Sequence, residues 1–164
     1  MIFRIPCAVV AFFAICACAT APGGGSTVSS SVAADNGEVG AAPVLTALSV
    51  SSLPPGKCGM ILWTLDAAQP TPIMRYIAGE GAVVAINGEE VALALVESEG
   101  GGRYGVFETQ RFFAPTGYEI DVSVQFGLGF EGGSYLESGL VRVNASSGWR
   151  IVAPSAGIAG CRNK

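Results

Sequence analysis

Five cysteines, at positions 7, 16, 18, 58 and 161, and the complete lack of histidine set the chemistry open to this chain of 164 residues. Without histidine the commonest general base and the commonest transition-metal ligand are both missing. A Ser-His-Asp or Cys-His arrangement cannot be assembled from this chain alone. Carboxylates come in close pairs at Glu89/Glu90, Glu97/Glu99 and Glu119/Asp121. Glycoside hydrolysis needs two carboxylates facing each other across a cleft. Glu119 and Asp121 share a strand face, but that face alternates with the core and reads as solvated. The run Gly127-Leu128-Gly129-Phe130-Glu131-Gly132 fits G-x-G-x-x-G. A dinucleotide site would need a helix immediately after it, whereas residues 133–141 read as a turn and another strand. Hairpin or bulge glycines are the expectation there. Asn144-Ala145-Ser146 is formally a glycosylation acceptor but reads as a polar turn. The spacing of a calcium loop is absent. No catalytic residue, cofactor or metal is therefore assigned.

Composition narrows the partners as well. The formal net charge is −4, and it becomes −5 if Arg4 is removed with an N-terminal leader. The other Lys and Arg residues stand singly, so no basic patch exists to neutralise phosphates, and nucleic-acid binding is not expected.

Residues 1–17, MIFRIPCAVVAFFAICA, place one positive charge, Arg4, before an apolar run from Cys7 to Ala17. That is the layout of a secretory signal peptide, and the run is too short for a transmembrane helix of about 20 residues. Its end, Ile15-Cys16-Ala17-Cys18, resembles the lipobox of bacterial lipoproteins. The resemblance implies cleavage after Ala17 and acylation of Cys18. Two or three acyl chains hold a protein on a membrane where one does so only marginally. Ala19 after the lipid site implies, by the family's sorting rule, the outer membrane with the domain facing the periplasm. Cleavage by an ordinary signal peptidase near Ala17, Ala19 or Ala21 is the competing reading. Either way two cysteines remain for the folded part, too few for a zinc site.

Residues 18–56 then read as a lipidated cysteine followed by a flexible linker, marked by Gly23–Gly25 and Ser29–Ser31. As a random coil this tether spans roughly 30–37 Å. Pro43–Val50 alternates weakly and could add an edge strand. Residues 57–164 form the folded domain. Short apolar runs between its glycines predict strands at Met60–Asp66, Ile73–Ala78, Ala82–Ile86, Glu89–Glu97, Tyr104–Phe113, Glu119–Leu128, Tyr135–Val143 and Trp149–Val152. Ile61, Trp63 and Leu65 are expected on one face of their strand, and Ile120, Val122, Val124, Phe126 and Leu128 on the core face of theirs. Asn87-Gly88 between two runs predicts a type I′ hairpin turn. The sum is an all-β domain of seven to eight strands, a small antiparallel barrel or sandwich. Cys58 precedes the first strand and Cys161 follows the last, so a disulfide between them would close nearly the whole domain.

The segment Ser98-Glu99-Gly100-Gly101-Gly102-Arg103-Tyr104 resembles the Ser-Gly-x-x-Tyr loop of the membrane-bound inhibitors of c-type lysozyme, which are also lipoproteins with a small disulfide-bonded barrel. The resemblance implies a candidate binding loop of Ser98, Gly100, Gly101, Arg103 and Tyr104. Aligned on Tyr104, the family's key serine falls on Gly100 and its glycine on Gly101. Where the family places a Lys-Gly pair, this chain has Phe113–Gly117 without lysine. The leading expectation is a non-enzymatic envelope lipoprotein with a binding or structural role, its partners a membrane through the anchor and an envelope protein. An inhibitor of a cell-wall-degrading enzyme is one alternative. A small-ligand carrier with an apolar barrel interior, or a carboxylate enzyme, is another.

Overall fold

The computed structural model describes residues 42–65 and 69–163. Residues 1–17, Cys18 and most of the linker lie outside the described residues. Eight strands follow in order: β1 (Cys58–Thr64), β2 (Pro72–Ile77), β3 (Gly81–Ile86), β4 (Glu89–Arg103), β5 (Val106–Phe113), β6 (Glu119–Phe130), β7 (Gly133–Asn144) and β8 (Arg150–Cys161). Each pairs antiparallel with the next, and β8 pairs back onto β1, giving a closed barrel. Closure removes the free sheet edges a sandwich would leave.

Turn chemistry sets the meander. Asn87 and Gly88 hold φ of 53° and 84°, the two positive values a type I′ turn requires. Tyr104-Gly105 makes the same turn between β4 and β5, at 57° and 74°. The sequence put Tyr104 at the start of a strand, because tyrosine carries no signal for left-handed backbone. Glu131-Gly132 joins β6 to β7, as a hairpin reading of the glycine run requires.

Side chains fill the barrel interior. Met60, Leu62, Met74, Phe112, Ile120, Leu136, Val122 and Val141 are fully buried, and Tyr76 meets Phe112 edge to face at 5.4 Å. The inward residues of β8 are Ala153, Ser155, Gly157 and Ala159, opposite Thr64, Leu62 and Met60 on β1. Small groups on one wall make room for large groups on the other. A Cβ at Gly157 would run into the Ile61 carbonyl and approach Leu62 Cδ2 to 2.8 Å. Glycine is thus what lets β8 close on β1.

Ile61 and Trp63 do share one face of β1, and it is the outer one: Met60 and Leu62 point into the barrel, and Leu65 is 55% exposed. Along β6, Ile120, Val122 and Val124 are buried as expected, but Leu128 is 75% exposed. Register shifts between Gln125 and Gly129 break the alternation before Leu128. The last strand is also three times its expected length, twelve residues in place of four.

Cys58 and Cys161 are directly opposite each other in the β1–β8 ladder and form a disulfide with an S–S distance of 1.99 Å. The unit Glu38–Lys164 contains every described strand, this bridge and the hydrogen-bonded segment before β1. Cross-linking residues 103 apart in sequence stabilises by up to about 4.7 kcal/mol through chain entropy. Cys161→Ser is expected to lower unfolding free energy by about 2–5 kcal/mol in urea titration. Phe112→Ala, which empties the interior, is expected to cost about 3–5 kcal/mol in the same assay. An unchanged midpoint in either would contradict the role given to that residue.

Candidate functional site

Residues 43–56 lie along the barrel as a strap. The Asn87 side chain accepts from Val44 N–H at 2.8 Å, and Asn87 N–H donates back to the Val44 carbonyl at 2.8 Å. Thr46 N–H donates to the Ala85 carbonyl at 2.9 Å and Leu48 N–H to Pro72 at 2.8 Å. Only a single bridge, Leu45 with Ile86, has strand geometry. Pro43 and Leu48 are buried, and so is Ala85, although Ala85 faces away from the interior. The weak alternation of Pro43–Val50 therefore marks a packed segment, not a regular strand.

Glu90 anchors the strap. Ser49 donates to its Oε1 through the hydroxyl at 2.5 Å and the backbone N–H at 2.8 Å. These two bonds, hydroxyl first, hold the Glu90 carboxyl below the ordinary glutamate value, against slight desolvation and with help from Arg75. Arg75 Nη1 reaches the carbonyls of Val50 and Ser52 at 3.5 and 3.4 Å. At the other end Arg162 Nη1 donates to the Leu53 carbonyl at 2.8 Å, while Gly56 N–H donates to the Arg162 carbonyl at 2.8 Å.

Between the strap and the outer wall of β1 and β8 runs a groove of about 320 Å³. Leu53, Ile61, Trp63, Phe130 and Ile158 supply its apolar surface, with Arg162 and Glu131 at the rim. Ile61 stands opposite Ile158 in the ladder, outside the barrel. It is nonetheless only 4% exposed, so the outer wall here is covered. Phe130 packs on the exposed Tyr135 at 5.1 Å, which extends the apolar surface onto β7. Sequence reading put Ile61 and Trp63 on one face and did not single out Phe130, Ile158 or Arg162. One signal was present: pairing Cys58 with Cys161 puts Ile61 opposite Ile158, each three residues inward and so on the other face.

The carboxylates are engaged elsewhere. Arg111 lies on the outer wall and binds Asp121 at 2.9 Å, Glu97 at 3.0 Å and Glu119 at 3.4 Å. The hydrogen bond and charge of Asp121, then Glu97, strengthen the guanidinium's hold on its proton. Glu119 and Asp121 thus do share one face, joined by a cation and not opposed across a cleft.

The candidate binding loop proves to be mostly strand. Ser98, Gly100, Gly101 and Arg103 lie in the distal half of β4, and Tyr104 is in the turn. A register shift between Glu99 and Gly102 bends this arm, with Gly100 at φ 84° and Gly101 N–H donating to Glu108 at 3.1 Å. The Arg103 guanidinium lies 5.8 Å from the Phe126 ring centre. Phe113–Gly117 sits at the opposite end of β5, roughly 25 Å away along the strand. These two segments therefore do not converge. The arm does share the disulfide's end of the barrel, where Gly105 abuts Ala78 of the β2–β3 turn.

Among known proteins the chain matches no family model, no curated sequence and no solved structure.

The lowered Glu90 value has a pH consequence. A carboxylate whose folded-state pKa is depressed stabilises above its unfolded value and loses that contribution as pH falls through the folded value. Strap attachment at Ser49 is expected to weaken only once pH falls below the ordinary glutamate value and through the lowered one of Glu90. The protection of the Ser49 amide relative to its intrinsic exchange rate should then fall, and Glu90→Gln should lower that protection at neutral pH. Equal protection of Ser49 in wild type and Glu90→Gln at pH 7 would contradict the anchor.

Proposed function

We propose that this chain is an exported lipoprotein of the cell envelope, cleaved after Ala17 and acylated on Cys18. Its barrel acts by binding at the outer surface and performs no catalysis. The anchor and the location, the outer membrane facing the periplasm, rest on the leader and lipobox residues. One observation carries the binding half: the barrel interior is filled by Met60, Leu62, Phe112 and their neighbours, while an apolar groove is built on the outside. A filled interior speaks against a carrier that encloses its ligand. The missing histidine and the pairing of Glu97, Glu119 and Asp121 to Arg111 speak against acid–base catalysis.

Metabolic labelling with an alkyne fatty acid tests the anchor. Label is expected on the wild type and lost in Cys18→Ala, with the wild type in the membrane fraction. Equal labelling of both, or a wild type recovered wholly in the soluble fraction, would overturn it.

A further inference from the structure

We propose that the groove between the strap and the β1–β8 wall binds a single-chain lipid, its acyl chain along Trp63, Phe130 and Ile158 and its carboxylate beside Arg162. This deepens the binding half of the proposed function by naming a ligand, and it does not depend on acylation of Cys18.

Backbone accounting selects the occupant. β1 pairs with β2 on one side and β8 on the other, and β8 pairs with both β1 and β7. Their peptide groups along the wall are spent in these ladders. On the strap side Arg75 takes the carbonyls of Val50 and Ser52, and Arg162 takes that of Leu53. The Ser51 and Ser52 N–H groups on the strap have no partner among the described residues, so a peptide could pair along that edge alone. Its remaining N–H and C=O groups, facing the apolar wall, would cost roughly 1–3 kcal/mol for each one left unpaired. An acyl chain brings no such groups. Its methylenes gain about 0.8 kcal/mol each on full burial. A volume of about 320 Å³ lies at the small end of the ligand-site range.

Charge at the rim orients the ligand. Arg162 and Glu131 both line the groove, so a carboxylate head is drawn to the first and repelled by the second. The two residues therefore make opposite contributions, and this separates head-group recognition from simple adhesion to an apolar surface. Arg162 also holds the strap, through its bond to the Leu53 carbonyl.

The experiment titrates the oxidised full chain with 11-(dansylamino)undecanoic acid. Dansyl emission and energy transfer from tryptophan are followed. Saturable one-to-one binding is expected, with most transfer lost in Trp63→Phe, which leaves Trp149 in place. Ile158→Glu should weaken binding about tenfold or more, because it sets a charge against the chain. Val152→Glu, on the same strand and outer face but beyond the groove, should leave it unchanged. Glu131→Gln should tighten binding roughly two- to fivefold and Arg162→Gln should weaken it, as expected for exposed charges. Dodecanoate should displace the probe better than dodecanol. No saturable binding, or equal losses in Ile158→Glu and Val152→Glu, would overturn the site. Indifference to Glu131→Gln together with equal competition by acid and alcohol would overturn the carboxylate. Failure here leaves the Cys18 labelling result standing, so the two readings fail separately.

Discussion

Closure of β1 on β8 is the constraint on which the rest of the molecule depends. A meander of eight strands becomes a barrel only if its first and last members find each other across nearly the whole chain. The Cys58–Cys161 bridge makes that long-range meeting part of the covalent structure. Because the cysteines are directly opposed, they also fix the register: Met60 meets Ala159, Leu62 meets Gly157, and the alternate pairs face out. A slip of one residue would put Ile61 and Trp63 inside and drive Leu62 into solvent. The small residues of β8 are the packing counterpart of that register, since a bulky group at Gly157 would collide with the β1 backbone.

The same closure organises the outer surface. Lys57 and Arg162 flank the bridge and join through Arg162 N–H and the Lys57 carbonyl at 2.9 Å. Arg162 then reaches Leu53 and fixes the end of the strap beside the groove. At the far end Asn87 serves twice, as the first residue of a type I′ turn and as the amide that pairs with Val44. A hairpin turn at one end and the residue after β8 at the other, with Glu90 and Arg75 between them, thus hold a segment that has almost no regular structure of its own. Its order comes from scattered backbone hydrogen bonds and from side chains meeting backbone groups, not from a continuous ladder. That is why a groove, and not another strand pairing, remains between the strap and the wall.

Local pattern reveals some of these elements and misses others for definable reasons. Ile120, Val122 and Val124 read correctly because β6 keeps strict alternation there, with one face buried and the other wet. Leu128 reads wrongly because register shifts intervene, and no residue type announces where a ladder will slip. β8 is mostly invisible because Ala153–Gly160 has neither branched nor aromatic density apart from Ile158. Its smallness answers the bulk of Met60 and Leu62, which are distant in sequence. Pro43–Val50 alternates only weakly, so nothing local distinguishes a strap packed on a barrel from a solvated tether.

By itself the sequence determined the all-β class, the Asn87-Gly88 turn and the cysteine pair, because turn geometry, strand period and redox chemistry are properties of residues and near neighbours. It also determined that no histidine-based site can exist. Only the tertiary structure decided that the sheet closes, which face of β1 is interior, and that residues 43–56 belong to the folded body. Those outcomes depend on matching volumes and unpaired polar groups between segments far apart in the chain. The groove is of this second kind: Ile61 and Ile158 lie 97 positions apart, and only the β1–β8 register brings them onto one wall.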